Sequence, residues 1–129
     1  VATYRQGQRL QDRRTVYVDC LVALRRAHEA MRLVADENHT DPQTRAAKIR
    51  QAFQTSGCDE ARERLVLTAT ADITEAIDGS YHSLRDIREA LASGCTIASD
   101  EYQAARQIHG DATRAARVVL RADLAALDA

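Results

Sequence analysis

Tryptophan is absent, phenylalanine occurs once and tyrosine four times, so aromatics make up only 4% of the 129 residues. Proline occurs once and glycine five times. A β-sandwich or barrel of this length needs recurrent turn signals and many β-branched and aromatic residues, and the chain supplies neither. The scarcity of Gly and Pro also excludes collagen and low-complexity disorder. The three cysteines are too few for a disulfide-dense scaffold, and without a Cys-x-x-Cys pair they frame no zinc site. No apolar run reaches the ~18 residues of a membrane span, and no signal-peptide pattern opens the chain. Lysine is nearly missing too, with Lys48 alone beside 17 arginines.

What remains is an Ala- and Arg-rich helical chain. Hydrophobic residues are 45% of it, and 24 positions are Ala. The 18 basic and 19 acidic residues leave a net charge of −1, which argues against a nucleic-acid partner. The charges are unevenly spread. Residues 1–32 hold seven Arg against three acids, a local +4, and residues 59–89 hold eight acids against four Arg, a local −4. A solvated face is the plain reading of such a run. The basic residues 5–14 are also a candidate contact for an anionic membrane surface.

Periodicity predicts four helices. The first spans about Ala2 to Glu37. Through Arg14 it is polar, interrupted by Tyr4 and Leu10. From there Tyr17, Cys20, Leu24, Ala27, Met31 and Val34 recur at spacings of three and four, the seam of a packed helix. Residues 1–14 are therefore expected to form a polar basic stalk continuous with helix one, and residues 15–129 the bundle. Asp41-Pro42 opens a short second helix that stops at Ser56-Gly57. The third is read as one helix from Asp59 to Ser93, with a stripe of Val66, Ala69, Ile73, Ala76, Ser80, Leu84, Ile87 and Leu91. Its drift near Gly79 predicts a bend or close helix contact there. Roughly 50 Å of straight helix would then part Cys58 from Cys95, beyond disulfide reach. Ser99 caps the fourth helix, whose expected stripe is Ala105, Ile108, Ala112, Ala115, Val119, Ala122 and Ala126, with Leu120, Leu124 and Leu127 as a second ridge. One length conflict stands: a 14-residue second helix cannot match a 35-residue third.

Sites of chemistry are sparse. No Glu-x-x-His or His-x-x-x-His motif exists, so neither a di-iron centre nor a helical zinc site has sequence support. Asp36 and His39 share the first helix end and read as cap or loop residues. Thr68 and Asp72 read as the solvent boundary of a stripe. His109 reads as a partly buried histidine satisfied by a carboxylate, and His28 lacks an apolar residue at +2. The run from Tyr81 to Ile87 is the most pointed. His82, Leu84 and Arg85 resemble the phosphoaccepting box of two-component phosphorelay helices, where an imidazole is the nucleophile and a cation one turn on screens the phosphoryl group. Asp86-Ile87 replaces the Gly or Thr-Pro that follows in that box, and a surface histidine is the plainer reading of His82. No other catalytic residue, cofactor site or metal site is read from the sequence.

The segment Arg13-Arg14-Thr15-Val16-Tyr17-Val18-Asp19-Cys20-Leu21 resembles the opening of small actinobacterial four-helix-bundle proteins, often placed behind an N-terminal membrane helix. The Ala- and Arg-rich end, Ala115 to Leu127, is similar to their last helix. Cys20 stands where Phe is usual. The resemblance implies topology and no catalytic residues. It also implies an anchor before Val1, with the flanking arginines favouring the cytoplasmic side. The expectation is thus an all-α, antiparallel four-helix bundle whose long first helix protrudes at its N-terminus. Its expected role is a non-enzymatic interaction or scaffold module, binding a protein partner or itself. The alternatives are a phosphorelay bundle using His82 and a small-ligand sensor with an apolar pocket near Gly79, Ser80 and His109.

Overall fold

The computed structural model describes residues 2–129, with side chains from Tyr4 onward. The start of the expected 1–14 stalk thus lies outside the described residues. Five helices follow one another: α1 (Ala2–Ala35), α2 (Pro42–Thr55), α3 (Cys58–Thr68), α4 (Ala71–Ala92) and α5 (Asp100–Asp128). Among the described residues there is no strand, and the chain is all-α as its composition requires.

The expected third helix is two helices, and they belong to different legs of the bundle. Ala69 is extended (ψ 159°), and Thr70 caps α4 with φ −74° and ψ 168°. The chain reverses there, not at Ser56-Gly57. The side-chain contacts establish the direction. Arg45 reaches the Leu91 carbonyl, Arg50 pairs with Glu89 at 3.3 Å, and Arg62 pairs with Asp78 at 2.7 Å. Numbers rise along α2 and α3 while they fall along α4, so α2 and α3 run in series, antiparallel to α4. Against α1 the same holds, with Arg45 bonding the Ala35 carbonyl and Arg64 pairing with Asp19. This removes the length conflict. The second leg is residues 42–68, a fair match to α1, α4 and α5.

The joint between α2 and α3 is local chemistry. Gly57 takes φ +85°, which only glycine adopts cheaply. The Ser56 hydroxyl donates to the Phe53 carbonyl at 2.6 Å and accepts the Cys58 N–H at 3.2 Å, bridging the two helices. The next helix can therefore resume in nearly the same direction. Gly79 does neither thing expected of it. It sits inside an unbroken α4, exposed, with open space where a Cβ would stand.

The seam on α1 is as expected: Tyr17, Cys20, Leu24, Ala27 and Met31 are all buried. They pack on Ile49 and Phe53 of α2, Leu65 of α3, and Ile73, Ile77, Leu84, Ile87 and Leu91 of α4. The α5 stripe is not. Its buried residues are Tyr102, His109, Ala116 and Leu120. Ile108, Ala115, Ala122 and Ala126 are exposed, and Ala105, Ala112 and Val119 only half-buried. The α5 helix is apolar on two sides, and the side with the larger residues won the core.

The Arg45 guanidinium ties one end of the bundle together. It donates to the carbonyls of Leu91, Ala35 and Cys95, which close α4, α1 and the loop before α5. At the other end α1 does not project alone. Gln6 donates to the Leu127 carbonyl, Arg13 pairs with Asp123 at 3.3 Å, and the Tyr17 hydroxyl donates to Asp123 at 2.5 Å. The extension is an α1–α5 pair, although Tyr4 to Arg9 remain exposed. Among the described residues no helix is long and apolar enough to cross a membrane.

Candidate functional site

Two features stand out once the fold is known. One is a histidine-centred groove between α1 and α5, and the other is the outer face of α5.

The groove begins with His109. Its ring is 7% exposed, and Nδ1 lies 3.0 Å from the Ser80 carbonyl and 2.9 Å from the Ser83 hydroxyl. A carbonyl oxygen only accepts, so the network assigns the proton to Nδ1 and leaves Nε2 bare. The Ser83 hydroxyl donates to the same carbonyl at 2.8 Å, and Ser80 shares a 2.7 Å bond with Thr113. No carboxylate satisfies His109, contrary to the expectation. The α4 backbone and two small hydroxyls do, which is why Ser80 and Ser83 are tolerated as buried residues.

His28 of α1 meets His109 edge to face, with centroids 5.6 Å apart. Its Nε2 lies 2.9 Å from the buried Tyr102 hydroxyl. That hydroxyl makes no other hydrogen bond among the described residues, so it donates to Nε2, and Nδ1 of His28 carries the ring proton. Burial lowers the His28 pKa from the ordinary 6.5 to about 4, with further pressure from His109, Arg106 and Arg32. Burial lowers His109 as well, partly opposed by its bond to the Ser80 carbonyl. Both rings are therefore neutral at pH 7.

The space beside them holds about 450 Å³ and is lined by His28, Gln103, Arg106, Gln107, His109, Gly110 and Arg114. A smaller recess of about 170 Å³ adjoins it, lined by Arg25, His28, Glu29, Arg32 and Arg106. The apolar pocket expected near Gly79 is not what lies beside His109: this space opens toward α1, and imidazole, carboxamide and guanidinium side chains line it.

His82 is not part of this cluster. It is exposed on α4, its ring 5.7 Å from that of Tyr81. Arg85, the cation of the resembled box, leans over the Tyr81 ring at 5.9 Å. His39 is a helix-end cap as expected, its Nε2 donating to the Val34 carbonyl at 2.7 Å. Thr68 and Asp72 are both exposed. No group of three or more metal-ligating side chains occurs among the described residues. All three cysteines are free, Cys20 and Cys58 buried and Cys95 half-buried. Burial pushes the Cys20 thiol up to about 12, the behaviour of a core residue rather than a nucleophile.

The outer face of α5 is the second feature. Ala104, Ile108, Asp111, Ala115, Val118, Ala122 and Ala125 are all exposed and recur at alternating steps of four and three. Ile108 is 61% exposed and Val118 65%. This is the a/d pattern of a helix-pairing seam, here facing outward. The stripe expected from the sequence contained Ile108, Ala115 and Ala122 and assigned them to the core. Comparison with known protein families, with curated proteins and with solved structures finds no match.

Proposed function

We propose that this chain is a non-enzymatic helical interaction module whose working surface is the outer face of α5, pairing with the same face of a second copy. The observation that carries this reading is the exposed seam with six apolar positions out of seven at heptad spacing. Ile108 and Val118 stand exposed along that face among alanines, and the small residues between them let two axes approach to about 8 Å. Charge supports a second copy running antiparallel. Residues 100–111 carry three acids against one arginine, a net of −2, and residues 112–122 carry Arg114, Arg117 and Arg121 with no acid, a net of +3. Turned end for end, each half meets its opposite.

Sedimentation equilibrium tests the reading. The wild-type chain is expected to form a concentration-dependent dimer, and Val118→Glu, at an exposed site, to leave the helical signal intact and the chain monomeric. A wild-type chain that is monomeric at every attainable concentration overturns it, as does a dimer indifferent to both Val118→Glu and Ile108→Glu. The exposed arginines Arg5, Arg9 and Arg14 support a subsidiary contact with an anionic membrane surface, tested by cosedimentation with anionic vesicles.

A further inference from the structure

We infer that the groove between α1 and α5 is a binding site for a small phosphomonoester, held by Arg106 and the two neutral imidazoles. This inference does not rest on α5 pairing, because Arg106 lies off the outer seam.

The argument begins with charge. Four arginines line the groove and its adjoining recess, Arg25, Arg32, Arg106 and Arg114, and Glu29 is the one acid in either lining. Arg32 pairs with Glu29 at 3.6 Å and Arg114 with Asp111. Arg106, which lines both spaces, has no carboxylate partner among the described residues, so its fork of donors is available to an oxyanion. It stands close enough to His28 to make that ring harder to protonate.

The imidazoles add direction. His109 is more than nine-tenths buried, its Nδ1 is spoken for, and its bare Nε2 belongs to a ring that lines the groove. His28 offers the opposite polarity, with Nε2 engaged by Tyr102 and the Nδ1 proton unclaimed. One donor and one acceptor side by side suit a phosphate monoester, which presents bare oxygens together with a P–O–H or a neighbouring sugar hydroxyl. A fully deprotonated inorganic anion would use only the donor. Gln103 and Gln107 line the same wall one helical turn apart; each amide nitrogen already donates once, to the Ile97 carbonyl and to Asp111, which leaves one N–H of each for a ligand. The volume, about 450 Å³, suits a phosphate carried on a small organic body. Bound phosphate would also remove the pressure that Arg106 and Arg32 place on His28, so His28 should become more basic when the ligand binds.

The test titrates the full chain with ribose 5-phosphate, following the imidazole resonances of His28 and His109 by NMR, with inorganic sulfate as the comparison anion. Saturable shifts in both rings are expected with ribose 5-phosphate, a rise in the His28 pKa, and weaker binding of sulfate. Arg106→Gln, at an exposed position, should weaken binding roughly tenfold, whereas Lys48→Gln, an exposed site on α2 outside both the groove and the α5 face, should leave it unchanged. Vesicles containing phosphatidic acid distinguish a lipid headgroup from a soluble ligand. Binding confined to those vesicles overturns the soluble phosphomonoester. So does the absence of saturable shifts, or equal weakening by Arg106→Gln and Lys48→Gln, which would mean diffuse attraction to a basic surface.

Discussion

Lowering the pH from about 7.5 to about 4.5 drives a proton toward His28, and the structure sets what that costs. In the unfolded chain the ring titrates at its ordinary 6.5, and in the fold at about 4. Between those values the unfolded state binds more protons, so stability falls as the pH falls. The contribution is fully present above about 6.5, declines toward 4, and does not decline further below it. Moving a titration midpoint by one pH unit corresponds to about 1.36 kcal/mol. At pH near 4.5 most of the interval has been crossed, and the loss is about 2 to 3 kcal/mol, the lower figure allowing for solvent screening of a half-buried ring. His28→Gln isolates this contribution, because its side-chain carbonyl can accept the Tyr102 hydroxyl and does not titrate. Urea unfolding of both proteins at the two pH values is the assay. The two stabilities should differ little near neutrality, and the variant should retain about 2 to 3 kcal/mol more at the acidic end. Parallel stability–pH curves would refute the reasoning, since acid loss would then come from His109 and from carboxylates shared by both proteins.

Other outcomes follow from features at the ends and joints of the helices. Arg45→Met, which strips three carbonyls of their donor, is expected to cost about 2 to 3 kcal/mol in urea unfolding, more than Arg50→Met, whose partner Glu89 is exposed. Gly79→Ala should raise the melting temperature, by about 1 kcal/mol of added stability, because the site is helical with open space around it. Gly57→Ala should lower it by about 1 to 2 kcal/mol, since φ is +85° there; calorimetry on the pair decides both. A thiol reagent should modify no more than Cys95 in the native protein and all three cysteines in denaturant, and rapid native reaction at Cys20 would contradict its burial.

The parts of the fold that were legible in the sequence have one strong period and no competitor. Tyr17 to Met31 is such a case: large apolar residues mark one side of α1, and all of them are buried. On α5 two apolar periods are present, and the alanine-rich one is longer and more regular. Spacing alone favours it, but burial follows the larger contact area of Tyr102 and Leu120. The reversal at Ala69–Thr70 left a faint mark, a Thr followed two residues on by Asp72, the composition of a helix start within an otherwise unbroken helical pattern. The groove was not legible. His28 and Tyr102 are separated by 74 residues, and Ser83 and His109 by 26, so their meeting depends on the register of three helices. The pattern around His109 suggests a pocket but not its arginine lining, which α1 and α5 supply jointly.

The pairing of the first helix with the last has a consequence for the order in which the molecule is assembled. The Gln6–Leu127 contact closes a loop of 121 residues, and Tyr17 and Asp123 are 106 apart. Contacts of such separation bear the largest closure entropy and form late. During synthesis α1 is made before α2 and α3 and finds them early, but the polar partners of its outer turns lie in α5, which follows all of them. A nascent chain without α5 would hold Tyr17 in place by its ring alone and leave the side of α4 that carries Ser80 and Ser83 uncovered. The outer turns of α1 therefore wait, half-clothed, for α5, and the arrival of that helix is the step that closes the fold.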